Sequence, residues 1–276
     1  MKLRSLAWTL GLKPRPRTYR ATRIEFPLGS FGTIAYSKWQ HPKDYFKPFS
    51  PELIQELSQF ISPGDTVLDI GAHTGDYTLP LALAAGASGC VFAWEPNPFV
   101  YSVLYENSKL NRDKTNIIPV NAAASDQEGK LVFFYSDPGY CNGGRFEGVS
   151  KWSHGHPFQL TVQARNAATW LLENHPERLD KLSFVKVDTE GHELVVLRSL
   201  SPILKLTKPT LHLEMFRRLP RDKRIELIGE LNQMGYSAYR AGGAFNYFPV
   251  EELNNRNVMN WDAYDILAIH HEAKVN

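Results

Sequence analysis

Asp65-Thr-Val-Leu-Asp-Ile-Gly-Ala-His-Thr-Gly-Asp-Tyr-Thr78 is the stretch on which the fold turns. Thr66 to Ile70 is a short apolar, β-branched run of the kind buried on both faces of a parallel sheet, and Pro63-Gly64 punctuates its start. Gly71 and Gly75 bracket the turn that follows, where a missing Cβ permits tight backbone geometry and close approach of a ligand. Asp69 stands at the carboxyl end of the strand, the edge at which open α/β sheets bind ligands. The pattern predicts a strand, a nucleoside-binding turn and a helix.

Spacing narrows the ligand. A dinucleotide fingerprint, G-x-G-x-x-G, needs its second glycine for the pyrophosphate, and that slot holds His73. The run is instead D-x-G-x-x-x-G, which suits S-adenosylmethionine, a cofactor with a sulfonium and an amino acid in place of two phosphates. A second apolar run, Cys90 to Trp94, ends at Glu95-Pro96. A carboxylate there can accept both hydroxyls of a ribose and disfavours a 2′-phosphate, which argues against NADP; taken alone it leaves NAD open.

Outward from this core, strands and helices alternate. Strands are predicted at 66–70, 90–94, 116–121, 183–187 and 210–215, with helices at about 76–85, 97–110, 166–174, 191–205 and 220–234. Strands at 236–240 and 264–270 would close a seven-stranded, mostly parallel, Rossmann-like α/β sheet with helices on both faces. The segment 241–260 reads as an exposed loop. Ser50-Pro51 starts a helix bearing Leu53, Ile54, Leu57, Phe60 and Ile61. Thr22 to Phe26 and Thr33 to Ser37 alternate like a decorating hairpin. The expected organisation is an N-terminal basic segment and β-hairpin over 1–49 and one main domain over 50–276. Strands at 130–135 and 158–164 flank a loop, 137–157, that is long enough to be a lid over the acceptor; Tyr140, Phe146 and Trp152 make it apolar, and Arg145, His154 and His156 could meet polar substrate groups.

The chain has 276 residues, 43% of them hydrophobic, and a formal net charge of +2. Lys2, Arg4, Lys13, Arg15, Arg17, Arg20 and Arg23 all precede the first acid, Glu25, so the rest of the chain is mildly acidic. That balance argues against nucleic acid as a partner. Leu3, Leu6, Ala7 and Leu10 share a helical face, and with the basic residues of 1–23 they allow peripheral contact with an anionic membrane; the plainer alternative is a helix packed on the domain or a frayed terminus. Two cysteines, Cys90 and Cys141, form no disulfide framework and suit a cytoplasmic protein.

Acids end four of the apolar runs: Asp69, Glu95, Asp188 and Glu214. Asp188-Thr-Glu-Gly-His-Glu193 follows a strand and opens a helix, so Asp188, Glu190, His192 and Glu193 converge near where a transferred methyl would lie. These motifs resemble the FkbM-type family of class I S-adenosylmethionine-dependent methyltransferases. The resemblance runs from about 65 to 215. It rests on Asp69 to Gly75 with Thr78, Trp94-Glu-Pro-Asn-Pro98, Asn107 with Leu110-Asn111, Asn121 to Asp126 with Gly129, and above all Val185 to Glu193. It implies methyl transfer, commonly to a hydroxyl of a sugar or polyketide, and places Asn121 and Ala122 near the adenine. The implied cofactor set is Asp69, Gly71, Ala72, His73, Gly75, Thr78, Glu95, Pro96, Asn121, Ala122 and Asp188. Where the family usually has Thr-Leu-Asp before a helix, this chain has Asn166-Ala167-Ala168.

An alcohol is a poor nucleophile at neutral pH, so in-line positioning matters most and a base helps. His192 is the preferred base because its unperturbed pKa lies near operating pH, with Asp188 and Glu190 as the other candidates. The alternative is that His192 faces solvent while Glu190 and Glu193 complement the helix dipole. Mg²⁺ held by Asp188 and Glu214 would instead lower the pKa of the alcohol. The expected partner is a small-molecule, glycan or lipid-linked hydroxyl acceptor. The rival functions are an NAD-dependent oxidoreductase and a nucleoside-binding module without catalysis.

Overall fold

Alternation of side chains along three central strands shows why the sheet is buried on both sides. In the computed structural model, Val67, Val91, Ala93 and Phe184 point into one apolar cluster, while Leu68, Phe92, Trp94, Val185 and Val187 point into another on the opposite face. Such strands have no face turned to solvent, which matches their mostly apolar sequence. The structure describes residues 15–46, 49–141, 143–144, 158–243 and 246–272. The sequence-predicted amphipathic start at 1–14 and the lid residues 145–157, including Arg145, Phe146, Trp152, His154 and His156, lie outside the described residues.

In chain order, β1 (Ala21–Pro27) and β2 (Thr33–Trp39) form an antiparallel hairpin. Helix α1 (Pro51–Leu57), β3 (Thr66–Ile70), α2 (Thr78–Ala85), β4 (Cys90–Trp94), α3 (Pro98–Asn107) and β5 (Ile117–Val120) follow. A small sheet interrupts the alternation: β6 (Ala123–Ala124), β7 (Gly129–Tyr135), β8 (Gly143–Gly144) and β9 (Phe158–Arg165). The chain then continues through α4 (Ala167–Asn174), β10 (Leu182–Val187), α5 (Glu193–Thr207), β11 (Thr210–Met215), α6 (Arg221–Gln233), β12 (Tyr236–Gly243), β13 (Asn246–Glu252) and β14 (Tyr264–His270).

The main sheet has the order β13-β12-β14-β11-β10-β3-β4-β5. Strands β11, β10, β3, β4 and β5 are mutually parallel, and β14, β12 and β13 join antiparallel. The expected count of seven strands is therefore corrected to eight among the described residues, and the expected exposed loop at 241–260 is in part the extra strand β13. Its apolar anchors explain the difference: Tyr247, Leu253 and Val258 are buried, with Tyr247 packing on Phe60 and Phe184. The asparagine cluster folds too, as Asn257 donates to the Glu251 carboxylate and the Glu252 carbonyl. Helix α5 begins at Glu193 rather than at 191, because Gly191 has φ +106°. Among the described residues no helix is long and apolar enough to cross a membrane.

Helices α4, α5 and α6 cover one face of the sheet; α1, α2 and the hairpin cover the other. Two asparagines act as a surrogate neighbour for β2. Asn111 accepts from the Ala35 N–H and donates to its carbonyl; Asn107 accepts from the Ser37 N–H and donates to the carbonyls of Ser37 and Thr74. The hairpin is thereby joined to the glycine turn. At the start of α4, Asn166 supplies the cap, its side-chain oxygen accepting from the Thr169 N–H at 3.0 Å, so the departure from Thr-Leu-Asp does not leave that helix uncapped.

One buried cation organises the loops after β11 and before β14. Arg224, 1% exposed, donates to the carbonyls of Leu219, Phe216, Arg217, Val258 and Trp261. Replacing it with methionine strands several carbonyls in the interior. Arg224→Met is expected to lower the unfolding free energy by about 3 kcal/mol, read from the urea midpoint; an unchanged midpoint would contradict the role.

Candidate active site

Register sets up the site. Asp69 of β3 and His212 of β11 are both direct neighbours of Lys186 on β10, giving a polar row across three strands on the face covered by α2. All three side chains are buried. The Lys186 ammonium stands 3.7 Å from Asp69 Oδ1 and 3.2 Å from Asp188 Oδ2, and 4.9 Å from the centre of the Tyr77 ring. Tyr77 also stacks on His212, which packs against Tyr247. Burial works against the ammonium, but Asp188 and Asp69 outweigh it and hold the Lys186 pKa above the usual lysine value. Burial pushes the Asp69 carboxyl up, opposed by Lys186 and by the Thr78 hydroxyl, which donates to Asp69 Oδ2 at 2.6 Å. Burial and the neighbouring Lys186 drive His212 down to about 3, so it is neutral.

Above this row lies a cavity of about 330 Å³ at the carboxyl ends of β3, β4, β5 and β10. Its floor is where the glycine turn meets the turn after β10. The Asp188 N–H donates to the Ile70 carbonyl, and a Cβ on Gly71 would sit 1.8 Å from the Asp188 carbonyl oxygen. With φ at +84° as well, position 71 admits only glycine. Glu95 forms the next wall: its Oε2 accepts from the His73 N–H at 3.1 Å and its Oε1 from the Asn97 N–H at 2.8 Å. Burial raises its pKa, and His73 with the two N–H groups opposes the rise.

The roof comes from outside the alternating core. Lys43, Asp44 and Tyr45 line the cavity together with Phe133, Tyr135 and Cys141. Asp137 fastens these segments: it accepts from the Gly139 and Cys141 N–H groups and lies 2.9 Å from His41 Nε2. Tyr140 stacks on Phe99 at 5.0 Å, and Asn97 donates to its carbonyl.

Of the sequence-predicted residues, Gly71, His73, Glu95, Pro96, Ala122, Asp188, Glu190 and His192 line the cavity. Asp69, Ala72, Gly75, Thr78 and Asn121 stand behind it. Asp69 and Thr78 bond to each other, the Ala72 N–H binds the Trp94 carbonyl, and Gly75 turns the chain at φ +93°. Asn121 holds the carbonyls of Glu95 and Pro96. His192 does not face solvent: it is 6% exposed, with Nε2 3.4 Å from the Ser125 hydroxyl. Glu193 is likewise buried, accepting from the N–H groups of Thr189 and Gly191 and from the Thr189 hydroxyl. Sequence reasoning missed Lys186, His212, Tyr77 and the 43–45 roof. A lysine and a histidine inside the apolar runs Phe184 to Val187 and Leu211 to Leu213 were the available signals, since a buried cation demands a counterion.

The residues do not fit the Mg²⁺ expected between Asp188 and Glu214. Burial and the charges of Asp188, Glu190, Glu193 and Asp265 push Glu214 to about 9, so it keeps its proton and shares a hydrogen bond with Asp188. Burial opposes ionisation of Asp188, but Lys186 outweighs it and keeps that carboxyl below the usual range. The pair already has a proton and an ammonium as partners. Among the described residues no group of three or more His, Cys, Asp and Glu side chains could hold a metal ion.

A family profile described as the methyltransferase FkbM domain matches residues 69–238. The hexuronic acid methyltransferase AglP of Haloferax volcanii is 29% identical over 154 residues, 56% of this chain and 57% of that protein, so the chain spans just over half the length of this curated relative. Among solved structures, the FkbM methyltransferase of Methylobacillus flagellatus is similar with a TM-score of 0.44 and 15% identity, covering 75% of this chain and 44% of that one. A precorrin-6y C5,15-methyltransferase of Geobacter metallireducens is similar with a TM-score of 0.42 and 16% identity, covering 83% and 94%.

The neutral His212 makes stability depend on pH. Its pKa of about 3 lies below the ordinary value, so between roughly pH 6.5 and 3 the unfolded chain binds a proton that the folded chain does not, and stability falls as the pH is lowered. This group alone is expected to remove about 2 kcal/mol between pH 7 and 5. In urea unfolding, His212→Gln should lose correspondingly less over that interval than the wild type; equal losses would contradict a neutral buried imidazole.

Proposed function

The chain belongs to the FkbM methyltransferase family, and on that premise we propose that it binds S-adenosylmethionine in the cavity above Gly71 and transfers the methyl group to a hydroxyl of a sugar, glycolipid, polysaccharide or polyketide-type acceptor. The observation that carries this reading is Glu95. Each of its oxygens is pinned by one backbone N–H, which fixes the carboxylate at the end of β4 and leaves lone pairs for the two hydroxyls of a ribose. The backbone at Gly71 lies open to the cavity beside it, and Ala122 supplies an apolar wall for the base. Asn121 contributes by holding Glu95 and Pro96 rather than by contact.

When bound, the cofactor supplies a methyl group on a sulfonium. The chain's own residues then bring an acceptor oxygen into line, exclude water and accept the proton. Positioning is the larger contribution, worth roughly 7 to 11 kcal/mol where geometry is good. Asp188, Glu190 and His192 line the part of the cavity between the glycine turn and the roof, which is where the acceptor oxygen is placed in this reading. The name of the AglP relative makes a sugar acid the first acceptor to try.

Calorimetry with adenosylhomocysteine and with NAD tests the cofactor: binding of the thioether and none of NAD is expected, and the reverse would contradict the reading. Glu95→Ala should weaken adenosylhomocysteine by about 10- to 100-fold through loss of charge-assisted hydrogen bonds. Labelled methyl should pass from adenosylmethionine to p-nitrophenyl β-D-glucuronide in an alkali-stable linkage. Alkali-labile label would mean a carboxylate acceptor.

A further inference from the structure

We propose that Glu190 is the catalytic residue that takes the acceptor's proton. The assignment rests on the methyl-transfer reading above. The turn after β10 is fastened on both sides of this residue. Asp188 is held by the Ile70 carbonyl and by Lys186, and the N–H groups of Thr189 and Gly191, either side of Glu190, both donate at 3.0 Å to Glu193 Oε1. The chain wraps around the Glu193 carboxylate and turns Glu190 outward into the cavity, where it is exposed. Its φ of +58° is one that residues with a Cβ disfavour. On the far side, a Cβ at Gly191 would come within 3.1 Å of the Phe216 ring, so the turn has little room to relax. Strain held this firmly is characteristic of functional positions.

The neighbouring candidates are less suited. Asp188 is kept ionised by Lys186 and shares the Glu214 proton, which makes it a weak base. His192 is buried, and its Nε2 lies beside Ser125. Although the side chain is open to the cavity, the protein around it partly desolvates the carboxylate, and this together with Asp188 and Glu193 raises Glu190 to about 7, with Arg217 and Arg218 pulling it down and the protonated Glu214 as the remaining titratable neighbour; this supports a base poised near operating pH. In the step, the acceptor oxygen bonds to the methyl carbon as the carbon–sulfur bond breaks and its electron pair stays on sulfur. The hydroxyl proton moves to a Glu190 carboxylate oxygen and from there to water.

The test uses the full chain with ¹³C-carboxyl glutamate, the Glu190 signal being the one missing from Glu190→Gln. With adenosylmethionine bound, the positive sulfonium should lower the Glu190 titration midpoint relative to the neutral adenosylhomocysteine complex, a severalfold change in its ionisation constant. With p-nitrophenyl β-D-glucuronide as acceptor, Glu190→Gln should lose about 10²- to 10⁴-fold in kcat and the acid limb of the pH profile, yet bind adenosylhomocysteine as the wild type does. His192→Asn should keep the acid limb. Equal midpoints in the two complexes, or a Glu190→Gln enzyme with wild-type kcat and acid limb, would overturn the assignment alone. If neither ligand binds, the methyl-transfer reading falls and the assignment with it.

Discussion

A single ammonium inside the sheet governs the geometry of the site. Lys186 is buried on the central strand β10 with Asp69 beside it on β3 and Asp188 just beyond its own strand end. A buried cation without such partners costs several kcal/mol, so the three groups form or fail together. Because Asp69 precedes the glycine turn and Asp188 begins the acidic turn, satisfying Lys186 brings the two turns into contact. Gly71 is the consequence, since no side chain fits against the Asp188 carbonyl.

This contact also sorts the carboxylates. The charge of Lys186 falls on Asp188, which stays ionised, whereas Glu214 and Glu190 are pushed upward by desolvation and then by the nearby Asp188 charge. Similar side chains in and beside one cavity thus take different roles: Glu95 is fixed by two backbone N–H groups, Glu193, buried behind the cavity, holds the acidic turn, and Glu190 is presented to whatever enters. Such separation of environments is how one site runs several kinds of carboxylate chemistry at one pH.

The parallel core was legible because its strands are continuous apolar runs broken by glycine turns, and Glu95 was legible because it ends one of them. Asp69 and Thr78 stood out by position as cofactor ligands, yet they stand behind the cavity and bond to each other: whether a strand-end acid meets a ligand or a lysine depends on the register of a strand more than a hundred residues away. Lys186 lay in plain view within Phe184 to Val187. Strand β13 was hidden because Tyr247 is its buried apolar anchor, with Leu253 and Val258 buried beyond its end, which leaves too little to show a two-residue period. The roof over 43–45 was equally silent, depending on His41 meeting Asp137 across nearly a hundred residues.

The most direct measurement is a crystal structure of the full chain with adenosylhomocysteine. The account places both ribose hydroxyls on the Glu95 carboxylate and the thioether sulfur beside the Gly71 and Asp188 contact, facing Glu190. A nucleoside bound elsewhere, or one whose ribose leaves Glu95 untouched while the sulfur points away from the acidic turn, would contradict it.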